Sequence, residues 1–375
     1  MIDPFMGASN TIITSMRYGI NSFGQDINPL SLLISQVKTN IYSDDLKVSF
    51  SNFQKRLNRV RSEKINISFK NIDKWFKKEV QIELSQIRRL ILQEENLFIR
   101  KFYWVALAEV IRLTSNDRTS TFKMHIRTQE DINNRKLSPK QYFIKISQRS
   151  INDIFEVKNK LIENNLVEND KYIFDVKVAW GDSKEKLNTE SKHNLLVTSP
   201  PYGDNHTTVT YGQFSYLPLQ WIPVTDIDEN ISMNYLDVIQ EIDSRSLGGK
   251  NKSDYTVIEK EMFSKSKTLK CFFNNFNLEE RKKARKVVNF IHDLDVTIDN
   301  VLDKMIPNSY FAWTVGNRTV NNREVKNDQI LTEILETKGI KIFTDLDREI
   351  LSKRMPDKNN FSKTMSKEKI LIYKS

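Results

Sequence analysis

A chain of 375 residues has room for one large domain or two ordinary ones, and 39% hydrophobic with 28% charged residues is a globular, polar composition that argues for a folded chain. Its 58 Lys and Arg against 48 Asp and Glu leave a net charge of +10, a balance that favours an anionic partner such as nucleic acid over an acidic small molecule alone. A single cysteine excludes an internal disulfide framework and a cysteine-built zinc site, and no run approaches the ~20 apolar residues of a membrane span, so a cytoplasmic protein is expected.

The opening, Met1-Ile2-Asp3-Pro4-Phe5-Met6-Gly7-Ala8-Ser9-Asn10-Thr11-Ile12, places an acid and a glycine at a strand-to-helix turn. The helix runs on from Ile12 and stops at Gly19. A short strand follows, with Asp26 at its carboxyl end and Asn28-Pro29 after it, which makes one β-α-β unit. Gly7 and Asp26 stand 19 residues apart, close to the ~20 that separate the glycine turn from the ribose-binding acid in nucleotide-binding α/β folds. The glycine pattern is incomplete, so this spacing alone does not specify a cofactor.

From residue 38 to 170 the pattern changes to long helical segments with interleaved aromatics and many cations, among them Lys55, Arg56, Arg59, Arg61, Arg88 and Arg89. Phe102 to Ile111 reads as a buried helix. It runs into the polar segment Thr114-Ser115-Asn116-Asp117-Arg118-Thr119-Ser120-Thr121-Phe122-Lys123, which suits either phosphate contacts or an ordinary solvated loop. Strand patterning returns at Tyr172 to Trp180, ended by Gly181-Asp182-Ser183, and at Asn194 to Val197. Residues 216–305 alternate helix and loop, with a turn at Ser246-Leu247-Gly248-Gly249 and a basic helix face from Arg281 to Lys286. Within that region Cys271, in Leu-Lys-Cys-Phe-Phe, reads as a buried packing residue. A strand at Ser309 to Gly316, a helix at Asp328 to Lys338 and strands at Ile340 to Phe343 and Ile370 to Tyr373 complete the sheet. His125, His193, His206 and His292 are scattered without metal-site spacing, and no metal is implied.

The segment that carries chemistry is Thr198-Ser199-Pro200-Pro201-Tyr202. Two prolines cannot continue a ladder, so the strand ends there in a rigid extended turn at the sheet's carboxyl edge, where open α/β sheets bind ligands. The turn offers the Ser199 hydroxyl, the Pro200 carbonyl and the Tyr202 ring. Those groups suit an exocyclic amine on a planar base, whose nitrogen lone pair is delocalised until acceptors hold its hydrogens. An extruded base must also be stacked, and a ring contact offsets about 1–3 kcal/mol of that cost. A diproline turn with a core tyrosine is the plainer reading. The acids and glycines at the neighbouring strand ends weigh against it.

With these segments the chain resembles the S-adenosylmethionine-dependent DNA amino-methyltransferases of restriction-modification systems, particularly the N4-cytosine group with its Ser-Pro-Pro-Tyr loop. The resemblance covers residues 2–30, 172–215 and 309–374, and it extends to the run Tyr211-Gly212-Gln213-Phe214-Ser215 and to the tail from Arg348 through Lys353-Arg354-Met355-Pro356 to Glu368. It implies an α/β Rossmann-like methyltransferase sheet with helices on both faces and large, mainly helical insertions. By that resemblance S-adenosylmethionine is the cofactor, with Asp3, Phe5 and Gly7 bordering its methionine part, Asp26 its ribose and Asp182 its adenine, while Ser9 and Asn28 belong to the same binding turns. Ser199, Pro200, Pro201 and Tyr202 would hold the target base in double-stranded DNA.

The expected division is a cofactor-binding start (1–37), a basic helical insertion for DNA (38–170), the catalytic part (171–215), a second insertion for target recognition (216–305) and the closing strands (306–375). Two features depart from the family pattern. Ser9 stands where another glycine is frequent, and only Met1 and Ile2 precede Asp3, so most of the first strand is expected to be missing, either supplied by a separate upstream polypeptide or lost through a truncated reading frame. A cognate restriction endonuclease is a further expected partner. Adenine-N6 methylation and a non-catalytic DNA-binding protein with the same shell remain open alternatives. C5-cytosine methylation is disfavoured, because Cys271 follows Lys270 and not a proline.

Overall fold

The computed structural model describes residues 1–118, 123–206, 208–231, 238–349 and 367–375. Strand β1 (Ile2–Asp3) leads through a turn to α1 (Asn10–Arg17), β2 (Ser22–Asp26) and α2 (Pro29–Thr39). A helical block follows: α3 (Asp45–Arg59), α4 (Ile72–Trp75), α5 (Lys78–Ile91), α6 (Leu97–Thr114), α7 (Gln129–Asn134) and α8 (Pro139–Glu163). The chain then returns through β3 (Val167–Glu168), β4 (Lys171–Tyr172), β5 (Val176–Trp180) and β6 (His193–Thr198). Helices α9 (Tyr211–Trp221), α10 (Glu241–Arg245), α11 (Tyr255–Lys265), α12 (Lys267–Phe272) and α13 (Leu278–Leu302) precede β7 (Met305–Val315), β8 (Arg318–Val320), β9 (Arg323–Val325), α14 (Asn327–Thr337), β10 (Lys341–Glu349) and β11 (Lys367–Lys374).

Local chemistry sets several of these boundaries. Asn96 caps α6 by accepting from the amides of Phe98 and Ile99, and Asn277 with Glu280 forms a reciprocal capping box at α13. Pro139 opens α8 at a position where its missing N–H costs nothing. Among the described residues no helix is long and apolar enough to cross a membrane.

Seven strands form one sheet in the order β10-β11-β7-β6-β1-β2-β5. The ladders joining β7, β6, β1, β2 and β5 are parallel, and β11 runs antiparallel to both of its neighbours. The chain therefore has the expected α/β Rossmann-like methyltransferase architecture. Although β1 has only two residues, it sits at the sheet's centre, with Ile2 opposite Phe23 on one side and Leu196 on the other. Alternation along each strand divides the core between the two faces. Leu196, Phe311, Trp313 and Tyr373 pack with α13 and α14, whereas Leu195, Val197, Val176 and Val178 face the cluster built from α2, α6 and α9.

Two expectations are corrected and one element is added. Tyr172 to Trp180 is not one strand: Asn169 and Asp170 both have positive φ and close a hairpin, so Tyr172 pairs with Val167 and only Val176 onwards joins the main sheet. Cys271 is exposed, because Leu269 and Phe272 occupy the buried side of α12 and leave it on the other. The β8–β9 hairpin, closed by the left-handed pair Asn321-Asn322, was not anticipated. Thr119, Ser120, Thr121 and Phe122 of the polar run, and Lys353, Arg354, Met355 and Pro356 of the tail, lie outside the described residues.

Candidate active site

The parallel strands β1, β2, β5 and β6 all end at one edge, and every expected site segment lies in the loops leaving that edge. At β1 the buried carboxylate of Asp3 is fully engaged. It accepts from the Phe5 amide at 3.0 Å, from Thr198 Oγ1 at 2.7 Å and from the hydroxyl of Thr11. Burial raises its pKa against those three bonds. Asp3 thus fastens the first loop to the last residue of β6, directly before Ser199. Phe5 is half-buried and packs on the α13 side of the core.

The carboxylate of Asp26 accepts from the Gly7 amide at 2.9 Å and the Asn28 amide at 2.8 Å, closing the turn after β1 onto the turn after β2. Desolvation pushes its pKa up to about 6, opposed by those two amides, with the Asp3 carboxylate adding to the rise. Gly7 has φ +49°, and a Cβ there would meet no atom within 4 Å, so its backbone borders open space. This combination fits the proposed cofactor: an acid for a ribose diol beside a glycine turn with room for a ligand.

Two expected binding residues have structural duties. Ser9 takes the left-handed conformation, φ 60°, and its buried hydroxyl donates to Ser35 on α2. Asn28 caps α2 through Leu30 N at 3.0 Å, and its amide donates to Ser215 Oγ of α9 at 2.6 Å.

At the end of β5, the Asp182 carboxylate accepts from Lys184 N at 3.0 Å and pairs with Lys184 Nζ at 3.2 Å. It lines a cavity of about 550 Å³ together with Ile27, Trp180, Gly181, Asn188 and Arg245. Trp180 Nε1 donates to the Ile27 carbonyl at 2.8 Å, which joins this wall to the turn carrying Asp26.

Beyond β6, Ser199 is exposed, Pro200 is buried, and Pro201 and Tyr202 are half-buried. Tyr202 donates its hydroxyl to Glu368 Oε1 on β11 at 2.9 Å and lies 3.3 Å from Ser199 Oγ. Burial raises the phenol's pKa, and the Glu368 carboxylate adds to the rise. Asn327, at the start of α14, donates to the carbonyls of Tyr202 at 3.0 Å and Gly316 at 2.8 Å. Asp204 is buried between Arg318 at 3.3 Å and Lys286 at 3.4 Å, and a Cβ on Gly203 would fall 2.2 Å from the Arg318 guanidinium. Tyr211 connects the two halves of the edge electrostatically, since Asp26 and Glu368 both raise its pKa after burial does.

Comparison with known proteins adds an independent line. The chain is 32% identical over 394 aligned residues to the type II methyltransferase M.MvaI of Kocuria varians, an alignment that covers 100% of this chain and 84% of that protein. It belongs to the type II methyltransferases. The type II methyltransferase M.MjaII of Methanocaldococcus jannaschii is 50% identical over 42 residues, 11% of this chain and 8% of that protein. No protein-family model matches, and no solved structure gives a significant match.

As a type II DNA methyltransferase, the chain brings Asp3, Gly7, Asp26, Asn28, Ser199 and Tyr202 to one edge. Sequence reasoning missed Thr198 as the partner of Asp3, Arg318 as the partner of Asp204, and Asn327 and Glu368 as the supports of Tyr202. Thr198 and Glu368 both lie inside quoted family-like runs. Arg318 and Asn327 carry no local signal for these roles, because Asp204 and Tyr202 are each more than a hundred residues away from them.

Proposed function

We propose that this chain transfers a methyl group from S-adenosylmethionine to the exocyclic N4 of cytosine in double-stranded DNA, as the modification half of a restriction-modification system with a cognate endonuclease. The observation that carries this reading is the 2.7 Å bond from Thr198 to Asp3, because it fixes the Ser-Pro-Pro-Tyr loop beside the Gly7–Asp26 turn. Gly7, Asp26 and Asp182 would hold the cofactor, with Asp3 and Asn28 shaping the turns around it. When bound, the sulfonium supplies an electrophilic methyl carbon.

The protein's own part is placement. Ser199 and the Pro200 carbonyl accept the amine hydrogens, Tyr202 stacks on the extruded ring, and alignment with the methyl carbon lowers the barrier without a covalent intermediate. A serine hydroxyl at this position, and not a carboxylate, supports cytosine over adenine.

DNA would lie across the same edge. The basic first turns of α13 present Lys282, Lys283 and Arg285 to solvent, and the neighbouring Lys286 pairs with Asp204 of the base loop. In the 38–170 insertion, several cations instead bond protein carbonyls: Arg88 holds that of Trp221 on α9, Arg89 those of Lys64 and Ser62, and Arg61 that of Asn58. Backbone contacts are therefore assigned first to α13 and then to the remaining exposed cations of the insertion.

The test is nucleoside analysis of duplex DNA treated with the purified protein and S-adenosylmethionine. N4-methylcytosine is expected. N6-methyladenine without it rejects the cytosine assignment, and no methylated base rejects catalysis by this chain.

A further inference from the structure

The Ser-Pro-Pro-Tyr loop leaves one proton unaccounted for. As the amine nitrogen forms its bond to the methyl carbon, the carbon–sulfur bond breaks and its electron pair stays on sulfur. The nitrogen is then left with one hydrogen too many. Ser199 meets that hydrogen, but a serine hydroxyl is too weak a base to keep it. Asp3 already accepts from three donors at the root of the loop, and Asp26 accepts from two amides and is assigned to the cofactor.

A chain of hydroxyls leads away from Ser199. Its Oγ lies 3.3 Å from the Tyr202 hydroxyl, which in turn donates to Glu368 Oε1 at 2.9 Å. The polarity of this chain is consistent throughout. Because Tyr202 donates to the carboxylate, its oxygen is free to accept from Ser199, whose oxygen is then free to accept the amine N–H. Among the described residues Glu368 is the carboxylate hydrogen-bonded to this pair.

We propose, resting on the methyl-transfer reading above, that Glu368 is the terminal proton acceptor of the reaction, reached from the target amine through the hydroxyls of Ser199 and Tyr202. The amine proton passes to Ser199 as the serine's own proton moves to Tyr202 and the tyrosine's to Glu368. The products are a neutral methylated amine, a neutral thioether and a protonated Glu368. At 17% side-chain exposure that carboxyl can return the proton to water. Burial keeps the Tyr202 phenol protonated near neutral pH, so it both gives and takes a proton. Among the described residues, the groups facing Glu368 are Arg348 of β10 at 3.9 Å, Tyr202 of the loop and Tyr211 of α9. Since Glu368 acts through Tyr202, it is a positioning residue and not a base on the substrate. Its site on β11 also explains why the last strand must reach the catalytic edge.

The experiment is a double-mutant cycle on the full chain with a duplex containing the target base, read as the single-turnover rate of methyl transfer. Y202F keeps the stacking ring and removes the relay oxygen; E368Q keeps the shape and removes the acceptor. Each is expected to slow transfer about 10²-fold, and the double variant to be no slower than the slower single, because either break interrupts the same path. E368D should recover part of the rate, a rescue that a merely structural role for the carboxyl would not give. Fluorescence of 2-aminopurine at the target position should rise equally in all variants, which separates proton transfer from base extrusion. Y202F at the wild-type rate, or losses that multiply in the double variant, overturns the relay. A wild-type product lacking a methylated exocyclic amine instead overturns the underlying reading.

Discussion

Acidification gives the sharpest test of Asp26. Its carboxylate is buried enough to titrate near pH 6, although the amides of Asn28 and Gly7 favour the ionised form. In the proposed binding mode a ribose diol donates to this ionised acid, so cofactor binding and ionisation are linked. The affinity is therefore present above about pH 6 and is lost as pH falls through it. Between about pH 7.5 and about pH 5 the ionised fraction drops from near unity to about a tenth, so binding weakens ~10-fold, or ~1.4 kcal/mol. The ionisable groups acting on this carboxyl are Asp3 and, across the cleft, Tyr211. Calorimetric titration with S-adenosylmethionine across that range measures the effect. D26N is the internal control: it should bind weakly at every pH and lose the slope. The variant also turns an amide nitrogen toward one of the two N–H donors, at about 1–3 kcal/mol of stability. A wild-type affinity that stays flat to pH 5, or a slope retained in D26N, would refute the assignment.

Three further outcomes follow from the geometry. D204N removes the buried carboxylate that Arg318 and Lys286 both face and should lower stability by about 3 kcal/mol in urea unfolding, with no effect counting against the buried pair. Ser9 combines a left-handed backbone with a bond to Ser35, so S9A, which keeps the strain and loses the bond, should lose about 1 kcal/mol, while S9G should stay close to wild type. His193 is held neutral by burial, with the N-terminal ammonium contributing, and its pKa falls to about 4. The unfolded chain then binds the extra proton between that value and about 6.5, so stability falls on acidification, by ~2 kcal/mol at about pH 5. H193Q should lack this component, and identical pH dependence in the two proteins would remove it.

How much of this was legible in the sequence depends on the range over which each feature is encoded. The turns at Gly7, Asp26 and Asp182 and the Ser-Pro-Pro-Tyr loop were readable because prolines, glycines and strand-end acids act on their own backbone. The buried helix around Trp104 was readable from its apolar run, and the structure buries that indole with its Nε1 donating to Asp226. Asn169-Asp170 and Asn321-Asn322 were also local signals, adjacent residues suited to a left-handed turn, and they went unread because neither pair contains a glycine. Cys271 was misplaced for a different reason. A short apolar run does not state which of its members faces inward, and helical phase put Leu269 and Phe272 there instead.

What the sequence could not announce is pairing across the sheet. Thr198 meets Asp3 because β6 is parallel and adjacent to β1, and Tyr202 meets Glu368 because β11 returns antiparallel beside β7. Both contacts are consequences of strand order, which no short window of residues contains. The same strand order positions the Ser-Pro-Pro-Tyr loop. A diproline turn is rigid in itself, but rigidity does not aim it. The aim comes from Asp3 at its root, Asn327 on its backbone and Glu368 at the tip of its ring, contributed by the first strand, the last helix and the last strand. Extrusion of a base requires a pocket whose donors and acceptors do not reorganise as charge moves. In the proposed reading, anchoring one four-residue loop to Asp3, Asn327 and Glu368 meets that requirement.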